Sequence, residues 1–154
     1  MTRACCDVIR CLEGKTLATA ESLTGGGIGA ALTGVSGSSA VYKGGIICYT
    51  NWVKNQLLGV PQKDLDQYGA VSEPVAGAMA EGARRVLQTD IAVSVTGLAG
   101  PGGDEYGNPV GTVYIGYCDA GGSFVTHCLF SGDREEVRQQ TIQTALKIIL
   151  ERNQ

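Results

Sequence analysis

The chain has 154 residues, 44% of them hydrophobic, and a formal charge of −3 with acidic and basic residues interspersed. That size and apolar content suit one folded domain spanning 1–154, and the charge pattern lacks the basic face needed to neutralise nucleic-acid phosphates. No apolar run approaches the ~18 residues of a bilayer-crossing helix, and residues 1–7 lack the apolar stretch of a secretory signal, so a soluble cytoplasmic protein with neither membrane nor nucleic-acid partners is expected.

In chain order, residues 4–13 can form a short helix, and residues 16–21, Thr-Leu-Ala-Thr-Ala-Glu, read as a buried strand. Ser22 and Thr24 can then cap a helix running to about Thr33. Residues 44–50, Gly-Gly-Ile-Ile-Cys-Tyr-Thr, read as a second strand, and a short helix over 52–58 stops at Gly59, with Pro61 beyond it. Ser72-Glu73-Pro74 starts a helix that runs to about Leu87. Residues 90–96 form a third strand and lead into a glycine-rich loop over 97–109. Strands over 110–118 and 123–130, joined by the turn at 119–122, make an antiparallel hairpin. Asp133 caps a final helix to about Arg152. Helices interleaved with strands and followed by a hairpin predict an α/β fold, a three-layer α/β/α sandwich whose mixed sheet ends in an antiparallel hairpin.

The 23 glycines have no period, which excludes collagen and low-complexity chains. The six cysteines form no CxxC pair, and His127 is the one histidine that can join them, so they read as reduced thiols and not as a structural zinc site. No metal or cofactor is expected. Gly25-x-Gly27-x-x-Ala30 matches a weak dinucleotide fingerprint, but the acid expected about 20 residues on is missing, because the next acidic residue after Glu21 is Asp64.

Three segments bring polar groups to strand ends, where small-molecule sites form in open α/β sheets. In Glu21-Ser22-Leu23-Thr24-Gly25-Gly26 a hydroxyl stands beside backbone N–H groups at a helix start, a place for an oxyanion or a phosphate. The plainer alternative is that Ser22 or Thr24 only caps the helix. In the second segment, Tyr49-Thr50-Asn51-Trp52-Val53-Lys54, Lys54 lies one helical turn past the strand and can turn back toward Ser22, although a solvated surface lysine is the commoner fate. In the third, Thr96-Gly97-Leu98-Ala99-Gly100-Pro101, the glycines allow close backbone approach to a ligand, against the alternative of a mobile loop. Arg134 and Arg138 share one face of the last helix. They can grip a phosphate, or pair with Asp133 or Glu135. His127 has no visible acid partner, which argues against a Ser-His-Asp triad.

Taken together, Ala-Glu-Ser-x-Thr-Gly-Gly, Gly-Ser-Ser-Ala (37–40), Tyr-x-Asn-x-x-Lys, Leu-Gly-Val (58–60) and Gly-Ala-Val-Ser-Glu (69–73) form an ordered series. Thr-Gly-x-Ala-Gly-Pro, Pro-Val-Gly-Thr-Val (109–113) and Phe-Ser-Gly-Asp-Arg-x-x-Val-Arg (130–138) continue it. The series resembles the CinA C-terminal domain family over about residues 16–150. The resemblance implies hydrolysis of nicotinamide mononucleotide to nicotinate mononucleotide and ammonia, within pyridine nucleotide salvage. It implies Ser22 as the nucleophile, with Tyr49 and Lys54 as its partners, and a substrate pocket drawn from Thr24, Gly25, Gly26, Asn51, Thr96, Gly97, Ala99, Gly100 and Arg134. Leu23, where relatives often have cysteine, and Thr50, where they often have serine, remove no group the chemistry needs. The short lead before the first strand favours the stand-alone form, and a homo-oligomer is compatible with the pattern. The expected mechanism is acyl transfer, with a neutral Lys54 taking the Ser22 proton and Tyr49 relaying a proton to the leaving ammonia. Two other readings remain: a non-catalytic nucleotide-binding module on the same scaffold, and an amidase for another pyridine or amide compound. Ammonia release discriminates among them.

Overall fold

The computed structural model describes residues 1–154. Six helices, α1 (Thr2–Cys11), α2 (Gly27–Thr33), α3 (Asn51–Leu58), α4 (Gln62–Tyr68), α5 (Glu73–Leu87) and α6 (Arg134–Arg152), enclose five strands. The strands β1 (Leu17–Glu21), β2 (Tyr42–Ile47), β3 (Ile91–Gly97), β4 (Thr112–Asp119) and β5 (Gly122–Leu129) form one sheet in the order β2-β1-β3-β4-β5. β1 pairs in parallel with both β2 and β3, whereas β4 is antiparallel to β3 and to β5. The expected α/β architecture with a mixed sheet ending in a hairpin is therefore the one observed. No helix is long and apolar enough to cross a membrane.

Two apolar clusters sandwich the sheet. On one face Leu17, Val93, Val95, Val113, Ile115 and Tyr117 pack with residues of α1, α2 and α6, including Val8, Ile28, Leu146 and Ile149. On the other, the small residues Ala18, Ala20 and Ala92 pack with Leu58, Val75, Met79 and Ala83 of α3 and α5. β1 is buried along its whole length, as expected of a strand paired on both sides in a parallel sheet.

Several boundaries differ from expectation. β2 runs from Tyr42 to Ile47, not over 44–50: the Cys48 N–H to Glu21 O bond is the last toward β1 before the chain turns into α3. Thr50 N-caps α3, accepting from Val53 N–H at 3.5 Å, so Tyr49 lies in the β2–α3 connection and not in a strand. α4 was not foreseen: seven residues with a single buried apolar side chain, Leu65, carry no readable helical period. Neither Ser22 nor Thr24 caps α2; its N-cap is Gly26, with φ 99° in the left-handed region, and a carboxylate described below takes the place of the hydroxyl.

Candidate active site

Alternation along β1 decides how the first polar segment is used. Neighbouring side chains on a strand point to opposite faces: Glu21 lies on the face of Leu17 and Thr19, and Ser22 continues the face of Ala18 and Ala20. The Glu21 carboxylate, 2% exposed, accepts hydrogen bonds from Thr19 Oγ1 (3.2 Å), Thr24 Oγ1 (2.7 Å), Ile28 N–H (2.7 Å) and Gly29 N–H (3.0 Å). A full negative charge suits the positive end of a helix better than a hydroxyl dipole does. The N-terminus of α2 is thereby filled from within, and its N–H groups are not open to an oxyanion or a phosphate.

On the opposite face, Ser22 N–H still donates to Val95 O at 3.0 Å, which extends β1 toward β3. Lys54, one turn into α3, reaches back as the spacing suggested. Its Nζ donates to Ser22 Oγ at 3.0 Å and to Cys48 O at 2.8 Å. Lys54 is 1% exposed and Ser22 7%. Burial disfavours the charged ammonium and lowers the Lys54 pKa, with the nearby Cys48 pulling the other way. Burial pushes the Cys48 thiol up to about 11, so it stays protonated at neutral pH. Tyr49 and Trp52, by contrast, are 61% and 67% exposed.

The pair opens onto a cavity of about 620 Å³. Of the residues expected there, Ser22, Lys54, Tyr49 and Asn51 line it from one side, Thr96, Gly97, Ala99 and Gly100 from another, and Arg134 from α6. Thr24, Gly25 and Gly26 are not part of the lining. Thr24 is buried with its hydroxyl on Glu21, and the two glycines form the left-handed turn (φ 60° and 99°) into α2. Sequence reasoning missed Leu23, Ala70, Val71 and the far half of the loop as far as Tyr106.

That loop is held at several points. Asp104 Oδ1 accepts from the N–H groups of Tyr106 and Asn108, each at 3.1 Å. Asn108 Nδ2 donates to Asp104 Oδ2 (2.8 Å) and to Val71 O (3.1 Å), and Tyr106 OH donates to Asp66 O (3.0 Å). An Asp-x-Tyr-x-Asn turn was the available signal, overlooked because glycines dominate the segment.

The two arginines divide. Arg134 donates from Nη1 to Gly100 O (2.8 Å) and from Nη2 to Tyr49 OH (3.2 Å), which joins α6, the loop and the β2–α3 connection at the cavity. It has no carboxylate partner; the ion pair with Glu135 belongs to Arg138, at 2.8 Å. The backbone N–H groups of Leu23, Ala99 and Gly100, all on the cavity wall, meet no acceptor within the chain. A buried amine on a hydroxyl, open amide donors and a cation across the cavity are the parts needed for acyl transfer on an anionic substrate. No group of three or more His, Cys, Asp or Glu side chains converges as a metal site.

The family model for the CinA C-terminal domain matches residues 7–152. The CinA-like protein of Parasynechococcus marenigrum (strain WH8102) is 53% identical over 137 residues, which is 87% of this chain and 32% of that protein. The CinA-like protein of Geobacter sulfurreducens is 49% identical over 134 residues, 87% of this chain and 32% of that one. The chain thus spans about a third of the length of the curated relatives it matches. Among solved structures, the competence/damage inducible protein CihA from Agrobacterium tumefaciens superposes with a TM-score of 0.95 at 38% identity, covering 99% of this chain and 95% of that one. The competence damage-inducible protein A (ComA) from Klebsiella pneumoniae gives 0.95 at 34% identity, covering 97% and 94%.

Proposed function

The chain belongs to the CinA C-terminal domain family, and on that premise we propose that it is a nicotinamide-nucleotide amidase of pyridine nucleotide salvage in the cytoplasm, hydrolysing nicotinamide mononucleotide through a Ser22 acyl-enzyme. The observation that carries the reading is the buried contact of Lys54 Nζ with Ser22 Oγ at 3.0 Å, at the wall of a cavity that also holds Arg134. A Ser/Lys nucleophile needs an amine within hydrogen-bond reach of the hydroxyl beside the space a substrate would fill, and the pair has that arrangement.

In this reading neutral Lys54 takes the Ser22 proton as Oγ attacks the carboxamide carbon. The oxyanion is held by open backbone N–H groups, that of Leu23 and those of Ala99 and Gly100. The C–N bond breaks as the Lys54 ammonium returns its proton to the leaving nitrogen, which departs as ammonia. Lys54 then takes a proton from water, the hydroxyl attacks the ester carbon, and Ser22 Oγ leaves with the proton back from Lys54. In this reading Lys54, which already holds the Ser22 proton, supplies the leaving nitrogen without a Tyr49 relay. Tyr49, bonded through its hydroxyl to Arg134, instead steadies the guanidinium that receives the nucleotide phosphate.

The test is ammonia release over a panel: the mononucleotide, its dephosphorylated riboside, free nicotinamide and unrelated amides. The reading expects the mononucleotide to be turned over with the highest kcat/KM. Turnover of free nicotinamide at an equal kcat/KM contradicts the assigned substrate, and no ammonia from any amide contradicts the enzyme reading.

A further inference from the structure

The turn that carries the nucleophile, residues 22–26, is gripped from both sides, and one of the grips comes from the last helix. From the side of α2, Glu21 holds Thr24 Oγ1 and the start of the helix. From α6, Arg138 donates from Nε to Leu23 O at 3.0 Å and from Nη2 to Thr24 O at 3.3 Å, while Nη1 pairs with Glu135 at 2.8 Å. Arg138 does not line the cavity. Leu23 O accepts from nothing else in the chain, and within the turn itself the backbone makes the Gly25 N–H to Ser22 O bond at 3.2 Å and the Gly27 N–H to Thr24 O bond at 3.0 Å. α6 is itself fixed, with Val137 fully buried beside Arg138 and Asp133 and Glu136 forming a capping box at its start.

A guanidinium bonded to two successive carbonyls fixes the two peptide planes they belong to, because each C=O is rigidly opposed to the N–H of its own peptide; the second of these carries the Gly25 N–H, which donates to Ser22 O at 3.2 Å, the carbonyl of the peptide that bears the Leu23 N–H. We propose that Arg138 is a positioning residue: its fork on Leu23 O and Thr24 O holds the turn so that Ser22 Oγ faces Lys54 Nζ and the Leu23 N–H stays free for the oxyanion. The arginines spaced four apart on α6 then have separate duties, Arg134 toward the substrate and Arg138 toward the nucleophile. The proposal rests on Ser22 being the nucleophile. It adds a role for a residue that touches neither the substrate nor the reacting atoms.

The test compares wild type, Ser22→Ala, Arg138→Ala and Arg138→Lys by ammonia release from the mononucleotide, with and without added guanidinium ion. Arg138→Ala should lose about 10²-fold in kcat, the scale of a small misplacement of reacting groups, with KM nearly unchanged because Arg134 still faces the cavity. Guanidinium ion should restore about tenfold of that loss, a rescue that a merely destabilised fold does not show. Arg138→Lys should recover little, since a single ammonium lacks the planar fork. A kcat for Arg138→Ala within threefold of wild type, or a loss confined to KM, overturns the proposal. If wild type releases no ammonia, or Ser22→Ala is as active as wild type, it is the reaction or the nucleophile that has failed. Labelling of Ser22 by a fluorophosphonate, followed by intact mass, then judges positioning separately. A rate at least tenfold slower in Arg138→Ala sustains the proposal; equal rates, or no labelling of wild-type Ser22, overturn it.

Discussion

A lysine near its ordinary pKa of about 10.4 is almost wholly protonated at neutral pH, so Lys54 can take a proton from Ser22 only as far as burial has lowered its pKa. Raising the pH deprotonates Lys54 and frees the acceptor, so activity should climb with pH along an acid-side limb whose apparent pKa lies below that of free lysine. Lys54→Arg should abolish that limb together with most of the rate, because arginine keeps the charge and cannot deprotonate; a pH–rate profile checks this, and near-normal activity in the variant would leave the lysine a purely electrostatic role. Of the two causes that can lower a lysine pKa, burial and a neighbouring cation, burial is the one at work. Glu21, although adjacent to Ser22 in sequence, does not face the lysine, because strand alternation turns its carboxylate onto α2. The opposite cavity wall carries a second residue-scale expectation. Arg134→Ala should weaken binding of the mononucleotide by about 1.5–3 kcal/mol and leave the dephosphorylated riboside nearly unaffected, as read by calorimetry in a Ser22→Ala background. Equal losses for both ligands would instead assign Arg134 to bracing Gly100 and Tyr49.

Between elements, the position of Lys54 depends on how closely α3 lies on α5. A Cβ at Gly82 of α5 would collide with the backbone of Leu58, the last residue of α3, whose carbonyl also accepts from Arg85 Nη2 at 3.0 Å. Gly82→Ala should therefore cost about 1–3 kcal/mol through overpacking, a fall in Tm of several degrees, and lower kcat by displacing α3. Gly77→Ala on the same helix is the control: its Cβ would meet only Val125 Cγ2, at 3.6 Å. It should hold or raise Tm, since alanine is the better helix former. Equal behaviour of the two variants in thermal unfolding would contradict the close-approach account. This is also the scale at which the sequence was least legible. Glycine runs at 25–27 and 97–103 hid where α2 begins and how the loop is pinned, because both are decided by side chains reaching in from outside the run, Glu21 in one case and Asp104 and Asn108 in the other. α4 was invisible for want of a second buried apolar position.

Over the whole molecule, the β/α alternation and the terminal hairpin were legible because each strand carries its own apolar pattern and turn residues. The strand order that puts β1 between β2 and β3 was not, since pairing partners are chosen by packing across the sheet. The site follows from that order. Ser22 and Thr96 stand at the carboxyl ends of adjacent parallel strands, where ligands bind in open α/β sheets, and α6 returns Arg134 and Arg138 to the same end from the far end of the chain. Sequence spacing could suggest that Lys54 reaches Ser22; it could not tell which of two neighbouring arginines faces the cavity, because both lie on one helical stripe. The most direct measurement is ammonia release from nicotinamide mononucleotide by the intact protein and by Ser22→Ala at matched concentration, with Tm recorded for both. Turnover by wild type and a loss on the order of 10³-fold or more in the variant, at unchanged Tm, is the predicted result; activity of Ser22→Ala within tenfold of wild type would contradict it.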